Sequence, residues 1–482
     1  MIEGLKPYLA VKDTGVPWLG SVPSHWERRR LKSLLRPIDR RSSSGTETLL
    51  SLRRDHGIVV YSEHFSRPAQ GATTVGYKIV NKGQLVVNRL QANNGLVFDS
   101  SLDGLVSPDY SVFDRRGHGQ MVMPYLSSLL RTRTYRDHFR RESTGLGTGS
   151  AGFLRLYDDR LLETPVVLPP IGEQTAILRF LDHADRRIRR YIHAKQKLIK
   201  LLEEQKQAIV RRAVTRGLDA QVRVKPSGIG WIGDVPEHWE IWQVRHFAAV
   251  GNGSTPSRGN ATYWSGGTFP WLNSSSVNAG IITASDQFVT ERALRECHLP
   301  RVLPGSVLVA ITGQGKTRGT AAVLAIEATI NQHIAFIAPR RYGRTATSDY
   351  LRQFLVAAYP ELRRISEDSG STKGALTCAD LKHFRVLLPP IEEQNTIVRL
   401  AGEETANVES GLRVAEREIS LLREYRTRLI ADVVTGKLDV REAAARLPED
   451  VKEPDEDDEV DTGADVEESS DEVDLVETEA EA

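Results

Sequence analysis

The string best suited to chemistry in this sequence is Ala310-Ile-Thr-Gly-Gln-Gly315-Lys316-Thr317, which fits a permissive phosphate-binding loop with alanine in the first position. Such a loop works when a strand enters it and a helix leaves it, so that free N–H groups and the helix dipole face the phosphate. Val307 to Ile311 reads as the entering strand. The next residues, Arg318-Gly-Thr-Ala-Ala-Val323, read as a second strand, and no later strand ends in an aspartate suited to magnesium. The string therefore reads better as a flexible loop that carries Lys316 and Arg318 to a nucleic-acid phosphate. Other catalytic patterns fail as well. The twelve histidines form no HExxH-type ligand pair. There is no Gly-x-Ser-x-Gly elbow. Glu204 and Lys206, the one nuclease-like pairing, lie in a helical stretch as surface charge. His25 and His238 recur beside Trp26 and Trp239 and read as structural. The two cysteines, Cys297 and Cys378, belong to no CxxC pair, which excludes a zinc cluster and a disulfide framework.

The polar loops offer a different chemistry. Arginine pairs bidentately with guanine, and asparagine or glutamine with adenine, in the major groove. Serine, threonine and lysine suit phosphates. The candidates are Arg53, Arg54, Asn88, Arg89, Gln91, Asn93 and Asn94 in one part of the chain. In another they are Ser254, Thr255, Arg258, Asn273, Ser274, Lys316, Thr317, Arg318 and Gln332. Taken singly each is a polar loop residue; charge gives them collective weight. The 64 Lys+Arg and 63 Asp+Glu sum to +1. Residues 449–482 hold 18 of those acids and a single base, Lys452, or −17. That leaves 63 bases and 45 acids, or +18, over residues 1–448. A basic body with an acidic tail is the charge pattern of a nucleic-acid binder.

These loops must be held by something, and the chain repeats its framework. Trp18-Leu-Gly-Ser-Val-Pro-Ser-His25-Trp26-Glu27 returns as Trp231-Ile-Gly-Asp-Val-Pro-Glu-His238-Trp239-Glu240, 213 residues later. Leu168-Pro-Pro-Ile171-Gly-Glu173-Gln174 returns as Leu388-Pro-Pro-Ile391-Glu-Glu393-Gln394, 220 residues later. Thr215-Arg-Gly217-Leu-Asp219 returns as Thr435-Gly436-Lys-Leu-Asp439, again at 220. Residues 28–120 and 241–340, inside these repeats, do not align by eye. Similar frames with different contents suit a protein that reads two different things. Each frame leads into a stretch whose apolar residues step by three and four: Ile177, Leu181, Ile188, Leu198, Leu202 and Ile209 in the first, and Val408, Leu412, Ile419, Leu422 and Leu429 in the second. About 44 residues at ~1.5 Å each make a rod of roughly 65 Å. Such a stripe needs a partner, and the duplicated copy running antiparallel is the expected one. Gly217 and Gly436 read as stops, and Gly402 and Gly411 as weak points.

The fold class expected is α/β. Two pseudo-repeated α/β units cover residues 1–168 and 219–388, and two long helices over 169–218 and 389–445 pair as an antiparallel coiled coil. An acidic, disordered tail over 446–482 completes the chain. That tail reads as a solvating segment, or more sharply as a competitor with DNA for the basic surfaces. No run approaches ~18 apolar residues, which excludes a membrane helix, and Met1–Ala10 lacks the apolar core of a secretory leader.

The Trp-x-Gly-x-x-Pro-x-His-Trp opening and the Leu-Pro-Pro-Ile-x-Glu-Gln closure, both duplicated and in order over residues ~1–445, resemble the specificity subunit (HsdS) of type I restriction–modification enzymes. Gly83-Gln-Leu-Val-Val-Asn88 through Ser107-Pro-Asp-Tyr110 resembles one class of its target-recognition domains, and Asn331-Gln332-His333 another. The tail beyond Leu447 lies outside the pattern. The resemblance implies two target-recognition domains, each reading half of a bipartite, asymmetric site in double-stranded DNA, with the paired helices setting the gap. It implies two methyltransferase (M) subunits docked on the helices and using S-adenosylmethionine, and restriction (R) subunits using ATP and Mg2+. It implies a cytoplasmic chain with no catalytic site, cofactor or metal of its own and no membrane partner. The competing readings are a stand-alone ATP-dependent DNA enzyme built on Ala310–Thr317, and a coiled-coil scaffold without a DNA role.

Overall fold

The computed structural model describes residues 5–65, 73–117, 121–146, 153–217, 219, 221–313, 316–340, 343, 345–368 and 374–448. The acidic tail from Glu449 lies outside them, and so do Gln314 and Gly315 of the phosphate-loop-like string. The chain divides into two compact units, residues 1–189 with 423–482, and residues 190–422. The division falls inside both long helices, so each unit holds one mixed α/β body, the start of one helix and the end of the other.

In the first unit, β1 (Leu35–Ile38), β2 (Leu85–Asn88), β3 (Val97–Asp99) and β4 (Tyr110–Arg115) form an antiparallel sheet in the order β1-β4-β2-β3. Its strands are short and rich in Val and Leu, and β2 is buried throughout, the pattern of a strand covered on both faces. The helices Met123–Leu130 and Arg133–Glu142 supply Tyr125, Leu126, Leu129, Tyr135 and Phe139 to the core. The sequence reads as one helix over 123–141; the chain breaks it at Arg131-Thr132. Residues 165–168 then pair antiparallel with 27–30 and deliver the chain to α1 (Ile171–Arg216).

The second unit repeats this plan. Its sheet of β5 (Ala248–Asn252), β6 (Ile281–Ile282), β7 (Val307–Ala310), β8 (Ala321–Leu324) and β9 (Ile334–Pro339) runs in the order β5-β9-β7-β8-β6. The first four of these strands match β1-β4-β2-β3 in both order and direction. Interiors that share no visible sequence thus share a backbone, because what is common to them is alternating small apolar runs and not particular residues. The strand expected over Val307 to Ile311 forms over Val307–Ala310. Helices Ser348–Ala357 and Tyr359–Asp368 meet at Ala358, with Pro360 in the first turn of the second, where its missing N–H is harmless. Residues 385–388 pair with 240–243 and lead into α2 (Ile391–Val434).

One clasp, present in each unit, joins the duplicated motifs. Glu173, in the first turn of α1, accepts hydrogen bonds from Trp26 Nε1 at 3.0 Å and from the Tyr8 hydroxyl at 2.5 Å, and its other oxygen lies 2.7 Å from His25 Nε2. Glu393 repeats this with Trp239 Nε1 at 2.9 Å and His238 Nε2 at 2.8 Å. Each carboxylate sits at the positive end of a helix dipole. The neighbouring glutamines are fully buried and bind backbone: Gln174 accepts from Val122 N and donates to Pro169 O, and Gln394 accepts from Thr347 N and donates to Pro389 O. The end of the other helix closes each clasp. Gly436 (φ +77°), just past α2, faces Trp26, and Gly217 (φ +72°), just past α1, faces Trp239. The segment after Gly436 stays on the first unit: Asp439 N donates to Lys6 O, and Arg441 lies over the Tyr8 ring. Burial pushes the Tyr8 hydroxyl above its ordinary pKa, and the Arg441 guanidinium holds the Asp439 carboxyl below the usual range.

The helices run antiparallel. In the second unit Lys195, Lys206 and Arg212 of α1 pair with Glu418, Glu409 and Glu404 of α2, at 2.6–2.7 Å, the α2 numbers falling as the α1 numbers rise. In the first unit Arg426 pairs with Asp185. The expected seam is placed with one correction. Ile177, Leu181, Ile188, Val408, Ile419 and Leu429 are buried, and Leu202, Ile209, Leu412 and Leu422 are half-buried. Leu198, however, is 40% exposed and Tyr191 53%, while Ile192 and Ile199 turn inward. A helix of 3.6 residues per turn drifts against a 3.5-residue repeat, so a phase extended from Ile177 slips by one position along α1. Gly411 lies beside Leu202, where a Cβ would come to 3.3 Å of it, and α2 continues through both its glycines.

The clasp yields a matched test. Gly436 and Gly228 (φ +66°) both occupy left-handed backbone, but a Cβ on Gly436 would meet Pro23 Cδ at 2.5 Å, whereas one on Gly228 would meet nothing within 4 Å. Gly228→Ala is expected to cost the conformational penalty of about 1–2 kcal/mol. Gly436→Ala should cost about 1–3 kcal/mol more through overpacking. Denaturant unfolding of the two variants measures the difference, and equal losses would mean that the clasp is not tightly closed.

Candidate nucleic-acid interface

Strand pairing brings three chain segments of each unit to one sheet edge. In the first unit Tyr110 pairs with Asn88 and Val112 with Ile38, so the turn after β2, the turn before β4 and the chain leaving β1 emerge together. In the second, Ala310 pairs with Ile334 and Asn252 with Ala335, which brings the corresponding segments together. Two strings of unrelated sequence, Asn88-Arg-Leu-Gln-Ala-Asn-Asn94 and the described residues 310–313 and 316–317 of the phosphate-loop-like string, thus stand at corresponding places between paired strands. Ser107-Pro-Asp-Tyr110 and Asn331-Gln-His333 are likewise one turn in two versions.

At the first edge the tip residues are mostly committed to the turn itself. Asn88 is buried, and its side chain accepts from Leu90 N. Gln91, Asn93 and Asn94 are half-buried around the short helical turn at 92–94, and Asn93 O accepts from Arg136. Arg89 reaches across to the other turn, donating to Asp109 O at 2.6 Å and Pro108 O at 3.2 Å. Two residues not foreseen from sequence complete this clamp. Lys78 donates to Tyr110 O at 2.7 Å, and Arg155 to the Asp109 carboxylate at 2.8 Å. Burial lowers the pKa of Lys78, assisted by the charge of Arg89, and burial lowers that of Arg89, assisted by Arg155. Three cations are thus packed under one turn. Arg53 and the exposed Arg54 belong to the hairpin of 50–53 with 57–60, where Arg53 stacks on Phe65 and the charge of Arg54 reaches Arg136, the donor to Asn93 O.

At the second edge a polar chain ties the three loops together. The Thr255 hydroxyl donates to Gln332 Oε1 at 2.5 Å, Gln332 Nε2 lies 3.2 Å from His333 Nε2, and His333 Nδ1 lies 2.7 Å from the Thr312 hydroxyl. Ser254 N donates to Ile330 O. Asn273 comes after the strand 269–272, which runs beside 329–330, and its side chain caps the turn holding Ser274. Lys316 is exposed and Thr317 half-buried. Arg318, expected at a phosphate, is instead buried and donates to Gly374 O at 2.5 Å. It lies in the turn of 316–319 just before β8, which buries it. Residues 316–320 lead into β8, antiparallel to β7, so among the described residues no helix leaves this loop to face a phosphate. Thr312 and His333 join the edge although neither is a contact expected from sequence; His333 does lie in the Asn331-Gln332-His333 motif. Lys78 and Arg155 stand in strands far from the tip in sequence and carry no signal there.

Among the described residues no group of three or more His, Cys, Asp or Glu could hold a metal ion, and no helix is long and apolar enough to cross a membrane.

Residues 236–400 match the family model of the type I restriction modification DNA specificity domain. The chain is 30% identical over 171 residues to the MjaIX specificity subunit of a type I restriction enzyme from Methanocaldococcus jannaschii, covering 34% of this chain and 38% of that one. It is 21% identical over 170 residues to the EcoR124I/EcoR124II specificity subunit of Escherichia coli, covering 35% and 41%. These matches span about two-fifths of each relative. A solved chain described under complex assembly and conformational transition of the type I R-M system aligns over 86% of this chain and 98% of its own. Its TM-score is 0.59 and its identity 17%, which shows a shared fold.

The Arg89 clamp can be measured. Arg89→Ala leaves the Pro108 and Asp109 carbonyls without their partner and should cost about 1–3 kcal/mol in denaturant unfolding. Arg89→Lys, a point charge that cannot bind both carbonyls in the same way, should recover only part of it. An unchanged stability would show that the brace is idle.

Proposed function

Starting from a chain that belongs to the specificity-subunit (HsdS) family of type I restriction–modification enzymes, we propose that it reads a bipartite DNA site for a multi-subunit methyltransferase and endonuclease. The reading rests above all on one observation: two units with the same strand order and the same clasp carry unrelated polar loops at the same sheet edge. A repeated frame with divergent edges is what two readers of different half-sites need. Residues 1–168 form the first target-recognition domain and 219–388 the second. The basic body of +18 supplies the sequence-independent attraction to phosphates.

The helices, over 169–218 and 389–445, set the spacing between half-sites. They also dock two M subunits. Tyr191, Leu198 and Leu201 on α1, and Val414 and Leu421 on α2, are between 40% and 55% exposed, leaving apolar stripes outside the ion-paired seam. The M subunits bring S-adenosylmethionine, and R subunits bring ATP and Mg2+. The chain itself contributes recognition and no catalytic group, and it works in the cytoplasm. The acidic residues 449–482 compete with DNA for the basic edges.

Methylation mapping of the assembled enzyme tests both halves of this reading. Replacing residues 241–340 with the same region of another specificity subunit should alter one half-site only. If both change, the two edges do not read independently. Inserting one helical turn after Lys197, with a matching turn opposite it in α2, should lengthen the spacer and leave both half-sites as they were. A spacer unmoved by the insertion removes the ruler role.

A further inference from the structure

The second edge holds an arginine prepared for a partner that the chain does not supply. Arg258 comes after β5 in the loop anchored by Ser254 and Thr255. Its guanidinium lies 3.9 Å from the ring centroid of Trp264 and 4.9 Å from that of Trp271, and the two indoles meet edge to face at 5.3 Å. The same rings hold the loop: Trp264 Nε1 donates to Ser257 O at 3.1 Å, and Trp271 Nε1 to Ser254 O at 3.2 Å. Gln287 Oε1 accepts from Arg258 Nη2 at 2.7 Å. The rings belong to a small apolar cluster with Val289, Ala293, Leu294 and Leu299, so they are themselves fixed.

Arg258 is exposed, and no described carboxylate pairs with it. Its neighbours differ: Arg292 is paired with Glu296, and Arg301 with Glu291. Stacking sets the plane of the Arg258 guanidinium, and the glutamine occupies one of its nitrogens. The side chain is exposed with its guanidinium plane set, and little rotamer freedom is left to lose on binding. A fixed planar fork meets a pair of acceptors bidentately, and both a phosphate and a base edge can offer such a pair. The guanine edge, N7 with O6, is that pair in the major groove.

We infer that Arg258 reads a guanine in the half-site of the second recognition domain, with Trp264 and Trp271 as positioning residues. This rests on the proposed reading of a bipartite DNA site. The test uses the chain assembled with its M subunits and a panel of duplexes in which each base pair of the wild-type site is replaced in turn. Wild type is measured first; if it prefers no bipartite site, the proposed function itself fails, and this inference with it. With that preference in place, Arg258→Ala and Arg258→Lys should each lose about tenfold or more of the discrimination at one G·C pair. The other positions and the first half-site should be unaffected. Trp264→Ala should weaken discrimination at the same pair, and Trp264→Phe should restore most of it. A uniform loss over all sequences, with the salt slope reduced by ~1, would make Arg258 a phosphate contact and overturn the inference. Unchanged discrimination at every position would overturn it too.

Discussion

Everything in this chain hangs on a carboxylate at the start of each long helix. Glu173 is drawn into a buried position and Glu393 into a half-buried one, where an unpartnered charge would be costly. They are made tolerable there by the helix dipole and by an indole N–H and an imidazole from a motif some 150 residues earlier. That bond fixes the register of the strand just after the motif against the strand just before the helix. It also brings the six-membered ring of the indole against the glycine that ends the other helix. Three segments far apart in sequence are therefore one local structure. Removing the carboxylate would release the frame strand, the helix start and the helix end together.

The frame decides where the recognition loops can be, and leaves open what they are. Once the first and last strands of a sheet are pinned, the hairpin between them must present its tip beside the turn entering the last strand. At that edge the two units are stiffened by different physics. The first uses charge: Lys78, Arg89 and Arg155 are desolvated beneath a turn whose carbonyls and Asp109 absorb them. The second uses aromatic packing and a threonine–glutamine–histidine–threonine chain. Both leave backbones rigid and outer side chains exchangeable, so sequence at the edge can change without disturbing the clasp.

The frame was legible in the sequence because its residues have no substitutes. Only a carboxylate at that helix position can take both donors, and only a glycine fits at φ +77° against Trp26. The helices were legible in extent through their apolar rhythm and their glycine stops, but not in phase, since a small angular drift accumulates over 46 residues and carries Leu198 outward. The common topology of the interiors was not legible. Short strands specify themselves by a few small apolar residues, and many sequences satisfy that requirement. The edges were legible as polar loops but not as contacts. Arg89 and Arg318 look like free cations in sequence, and each is turned inward by carbonyls that only the fold brings near.

Arg258 shows the opposite case and suggests how to tell a reading arginine from a bracing one. Arg89 and Arg318 spend their N–H groups on backbone carbonyls, which fixes a turn and leaves little to offer a ligand. Arg258 is held instead through its π face, which costs it none of its donors apart from the one given to Gln287. Stacking orients a guanidinium without consuming its hydrogen bonds, while carbonyl binding orients it by consuming them. On this distinction the polar residues of an edge sort by what holds them. A side chain fixed by apolar contact keeps its donors for a ligand, and in the second unit Trp264 and Trp271 give Arg258 that kind of support.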